Sequence, residues 1–151
     1  MRLILLAVLS GIASGLLFDV DASYLPGLLF GLAVAVGVAG RFQNLSWFRS
    51  ALFIGASVAA NFVAVQVGVA LHDLHSVPEA ALGATAGLVG AGLLAIALRL
   101  AFRLRCFGLL LLAGAAAGAP FFAMPHAVFA YVLWQGSLAV VIARSSLRTR
   151  S

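Results

Sequence analysis

Long apolar runs, separated by short gaps whose charges are all of one sign, constrain this chain more than any other feature. Arg2 precedes the first run. The first gap holds Asp19 and Asp21, the second Arg41 and Arg49, the third Asp73 and Glu79, and the fourth Arg99, Arg103 and Arg105. The fifth holds His126 alone, and the tail carries Arg144, Arg148 and Arg150. If every run crosses a bilayer, all arginines fall on one side and all acids on the other. A hydrocarbon core of about 30 Å asks for about 20 helical residues. The expected spans are 3–18, 24–40, 51–71, 80–98, 106–124 and 127–143. The expected fold is an all-α, six-helix transmembrane bundle with short loops, one domain over residues 1–151. The positive-inside rule puts the arginine side, and with it both termini, in the cytoplasm. A bacterial inner membrane is the expected setting.

Composition agrees with the charge pattern. Hydrophobic residues make up 64 % of the chain and charged residues 9 %, against roughly 45–50 % and 25 % in soluble domains. Too few polar groups remain to cover a water-soluble surface. The net charge of +5 is carried in gaps between apolar runs. It therefore points to membrane topology rather than to a nucleic-acid-binding patch, and no nucleic acid is expected as a partner. The single cysteine, Cys106, excludes an intrachain disulfide and a multi-cysteine metal knuckle. The opening MRLILLAVLSGIASGLL has the look of a signal peptide but lacks a clean cleavage site, so it reads as a retained first span.

Aromatic and proline residues mark the same levels. Tyr24 and Trp47 stand at the expected interfaces. Pro26 and Pro78 can open helices, where the missing N–H is harmless. Pro120 should kink or end the fifth span, with Pro125 at the turn beyond it.

Four glycine pairs spaced i, i+4 offer flat strips for close helix packing: Gly11 with Gly15, Gly27 with Gly31, Gly83 with Gly87, and Gly114 with Gly118. Sequence does not decide which helices they join, or whether any strip serves a dimer. Two halves of three spans each could form an inverted repeat, but the residue patterns around the corresponding prolines do not match.

No ionisable residue lies in the middle of a run, which argues against a proton-coupled pump, a charged filter or mid-membrane haem ligation. The informative polar groups are amides, which need a partner in hydrocarbon. Ser57 and Asn61 share a helix face. Gln66 points about 140° away from Asn61. Gln135 sits beside Trp134 on the last span. Ser57, Asn61, Gln66 and Gln135 read either as ties between helices or as the lining of a solute cavity.

His72, His75 and Glu79 follow an i, i+3, i+7 spacing, and His126 is on the same side. Imidazole and carboxylate together could hold a metal at the outer surface. Pro78 interrupts the helix such a face would need, and HxxH is common by chance. A solvated loop is the plainer reading, and no cofactor is expected. Ser14 and His126 do not form a credible protease dyad, since Ser14 lies among packing residues and His126 at the surface.

The arginines Arg41, Arg49, Arg99, Arg103, Arg105, Arg144, Arg148 and Arg150 would face anionic lipid at the cytoplasmic surface. The expected function is that of a small transport-related membrane protein or subunit binding a small neutral or amphipathic solute. The alternatives are an accessory subunit that packs against other membrane subunits or itself, and a membrane enzyme with a metal at the outer surface.

Overall fold

The computed structural model describes residues 1–17, 24–39, 46–73, 77–124 and 126–148. Among the described residues six helices follow one another: α1 (Arg2–Leu16), α2 (Leu25–Ala39), α3 (Trp47–His72), α4 (Glu79–Phe102), α5 (Phe107–Gly118) and α6 (Ala127–Arg148). Each packs on its neighbours in sequence, and α6 packs back on α1, which closes a ring. Neighbouring helices run antiparallel. Gly11 meets Val132 while Gly15 meets Val128, and Gly27 meets Val58 while Gly31 meets Ile54.

The six-span expectation is corrected here. Among the described residues, only α3, α4 and α6 are helices long and apolar enough to cross a membrane. Helices α1 and α2 have 15 residues each and α5 has 12, or about 22 and 18 Å of rise, short of the hydrocarbon thickness. Hydropathy alone merges apolar turn residues with helix. The segment expected over 106–124 shows why. Helix α5 stops at Gly118, and residues 119–123 turn, with Phe121 N–H donating to Gly118 and the Ala123 and Met124 N–H groups donating to Pro120. The protein is thus an all-α, multi-pass integral membrane protein in which three short apolar helices pack among three of spanning length. Both ends of the described chain reach the same end of the bundle because the six helices alternate in direction, not because each crosses fully.

The charges do segregate along the bundle. Arg2, Arg49, Arg99, Arg103, Arg105 and Arg144 sit at one end, where α1 and α3 begin and α4 and α6 finish; Asp73 and Glu79 sit at the other. Arg41 and Arg150 lie outside the described residues, as does the side chain of Arg148.

Small residues set the spacing and large ones fill the layers between. Phe30, Phe53, Leu94, Leu98, Leu110, Leu138 and Ile142 are fully buried. Phe53 stacks at a tilt on Phe102, ring centres 5.1 Å apart. Ser46 caps α3 by accepting the Phe48 N–H at 3.3 Å.

At the far end of α4, Arg103 adopts a left-handed conformation (φ 56°, ψ 23°). Its N–H donates to the Arg99 carbonyl, the 5→1 bond of an αL cap, and that of Leu104 donates to the Leu98 carbonyl. Glycine is favoured there because a Cβ strains this conformation. Arg103→Gly is expected to raise stability by about 1 kcal/mol, read as a higher thermal midpoint in detergent.

Candidate functional site

The acidic half of the ring is incompletely filled. Helices α3, α4 and α6 and the turn after α5 enclose a half-open cavity of about 140 Å³ with almost wholly apolar walls. Small residues create it: Ala64 on α3, Gly83, Ala86 and Gly87 on α4, and Gly118 at the end of α5 all line the space. Tyr131, Asn61 and Trp134 are the larger side chains buried in its wall, 3 %, 6 % and 7 % exposed, whereas Val69 and Phe122 at the rim are 52 % and 40 % exposed. Phe121 stands edge-on to Tyr131, ring centres 5.2 Å apart, and both line the wall.

The four amide and hydroxyl candidates go to different places. Asn61 lines the cavity. Ser57 lies one turn earlier and donates to the Gly27 carbonyl at 2.8 Å, tying α3 to α2. Gln135 is fully buried and away from the cavity. Its Oε1 accepts from Ser10 at 2.6 Å, and its Nε2 donates to Ser14 at 3.1 Å and to the Pro26 carbonyl at 3.4 Å. One side chain thereby joins α6 to α1 and α2. Gln66 lies on the exposed face of α3.

The glycine pairs all meet other helices of the same chain. A methyl on Gly11 would stand 2.7 Å from Val132 Cα, and one on Gly27 2.8 Å from Val58 Cα. Gly83 and Gly87 face Gly118 and Gly114 so closely that any Cβ on one helix would enter the backbone of the other. Gly83, Gly87 and Gly118 therefore set the α4–α5 distance and shape the cavity wall together.

His72, Glu79 and His126 are exposed, and His75 lies outside the described residues. Among the described residues no three His, Cys, Asp or Glu side chains come together as a metal would require. His126 lies beside the Phe129 ring, centroids 6.1 Å apart. Cys106, in the α4–α5 turn, is buried. Burial pushes its thiol pKa up, against the opposing effect of a hydrogen bond with Ser145, so it is a poor nucleophile at neutral pH. At the arginine end, Arg99 and Arg105 border a depression with Leu104 and Phe107.

Sequence reasoning reached Asn61 and Trp134 but missed Val65, Val69, Phe121, Phe122 and Tyr131. The available signal was Pro120. A helix that stops early beside two phenylalanines leaves its last turn free to fold over a neighbour. The Trp134 Nε1 is buried with no acceptor among the described residues. No known family model matches the chain, and neither does any curated protein or solved structure.

Proposed function

We propose that this membrane protein binds a small neutral, mainly apolar solute in the cavity between α3, α4, α6 and the turn after α5, as a small transport-related protein or subunit. The cavity carries this reading. It is about 140 Å³ with nearly all-apolar walls, close to the roughly 150 Å³ of an engineered apolar cavity that accepts benzene. A charged solute would find no counter-ion among its lining residues, and desolvation would disfavour it strongly. Asn61 is the one amide among its lining residues. We place the arginine end at the cytoplasmic face of a bacterial inner membrane, by the positive-inside rule. Anionic lipid headgroups would then adjoin Arg99 and Arg105.

The chain has two tryptophans, Trp47 and Trp134, and only Trp134 lines the cavity. With Trp47→Phe as background, titrating nitrobenzene into the detergent-solubilised protein should quench Trp134 emission to a plateau. Ala86→Phe, which fills the cavity, should abolish the plateau and leave only the linear quenching that partition into the micelle produces. Linear quenching in both proteins would sink the proposal.

A further inference from the structure

Among the described residues, the indole N–H of Trp134 is the buried side-chain donor that has no partner. The fold pairs its other buried polar groups with care. Ser57 and Ser146 donate to the Gly27 and Ala143 carbonyls, and Gln135 joins Ser10, Ser14 and the Pro26 carbonyl. A buried donor left alone is a standing cost. Trp134 is also a wall of the cavity.

The unpaired N–H lies at the inner end of that cavity, the end nearer the arginines. Gly83 and Gly87 of α4 line the space, and Gly90, the next turn, does not. A Cβ on Gly90 would stand 3.2 Å from Trp134 Cζ2 and 3.1 Å from the Ala64 Cβ. Cζ2 is on the same side of the indole as Nε1, and Ala64 lines the cavity. The Nε1 side of the ring thus borders the place where α3, α4 and α6 close off the space.

We propose that the guest is a small neutral molecule with an apolar body and one carbonyl-type acceptor, which receives a hydrogen bond from Trp134 Nε1. This rests on the cavity being a solute site. An indole N–H only donates, so an acceptor alone can satisfy it. A hydrocarbon would fill the space and leave the N–H stranded. A carboxylate or phosphate would bring an acceptor, but no cationic side chain lines the cavity to offset its charge. A ketone or ester meets both demands. Arriving from hydrocarbon, it gives up no bond to water, and the bond it forms displaces no protein partner.

Acetophenone and α-methylstyrene test this, because they share one shape and differ in a carbonyl oxygen against a methylene. Each is titrated into the full chain in detergent with its tryptophans labelled with nitrogen-15, and bound concentrations are referred to the micelle phase. Two indole cross-peaks arise, from Trp47 and Trp134, and Trp47→Phe assigns them. Acetophenone should move the Trp134 N–H proton downfield to a plateau. α-Methylstyrene should saturate without that shift, since its ring current is similar, and should bind about tenfold more weakly. Ala86→Phe should abolish both responses. Trp134→Phe should remove the preference, so that the two compounds raise its thermal midpoint equally. Saturable binding of both compounds with equal affinity and no downfield shift would overturn this inference and leave the solute site standing. Saturation by neither compound would overturn both, as would responses that survive Ala86→Phe.

Discussion

Gly87→Val is expected to destabilise the protein by about 3 kcal/mol or more, read as a lower midpoint in thermal unfolding followed by far-UV circular dichroism. A Cβ on Gly87 would collide with the Gly114 carbonyl and stand 3.0 Å from Gly118 Cα. Those are backbone atoms, so no rotamer change relieves the clash. The two helices must separate, and the Gly83–Gly118 contact one turn away opens with them. The control is Gly108→Ala on α5. Nothing lies within 4 Å of its Cβ position, and alanine favours helix over glycine by up to about 1 kcal/mol. It should leave the midpoint unchanged or raise it. A Gly87→Val protein as stable as the wild type would mean that α4 and α5 do not pack through their glycines.

The legible part of the fold was what charge and steric punctuation control. All six helices lie within or close to the expected segments, and the described arginines and acids sit at opposite ends of the bundle. Charges must stay at the surface of an apolar slab, so their positions mark helix ends. Helix length was not legible in the same way. Leu17, beyond α1, and Phe121 and Phe122, beyond α5, are as apolar as the helices they follow. Hydropathy therefore counts them as span, whereas the hydrogen-bond ladder ends earlier. Pro120 was the one local signal that α5 stops short.

The cavity was legible only in fragments for a related reason. A cavity is defined by what several helices leave unfilled, and no single helix encodes that. Asn61 stood out because an amide in hydrocarbon is costly. Ala64, Ala86 and Val65 carry no such mark, yet they line the space. The glycine strips were visible in sequence, but their pairing was not: Gly83 and Gly87 could have met any helix with small residues. The reciprocal spacing of Gly114 and Gly118 is what lets α4 and α5 interlock over two turns.

Gln135 separates the two meanings a membrane amide can have. If it lined a solute site, Gln135→Leu would weaken solute binding and leave the fold intact. Its hydrogen bonds to Ser10, Ser14 and the Pro26 carbonyl lead to the opposite expectation. Gln135→Leu keeps most of the side-chain volume and removes all three bonds. Interhelical hydrogen bonds in membranes average about 0.6 kcal/mol each, so the loss should be about 2 kcal/mol. Nitrobenzene quenching of Trp134 should still reach its plateau at an unchanged affinity. Ser10→Ala combined with Ser14→Ala tests the assignment from the other side. In the wild type the pair should destabilise by about 1 kcal/mol. In the Gln135→Leu background it should have almost no further effect, because the groups the serines bond to are already gone. Full additivity would show that the serines stabilise α1 through its own preceding turn, as membrane serines can. It would thereby remove Gln135 from its place as the tie holding α1 and α2 to α6.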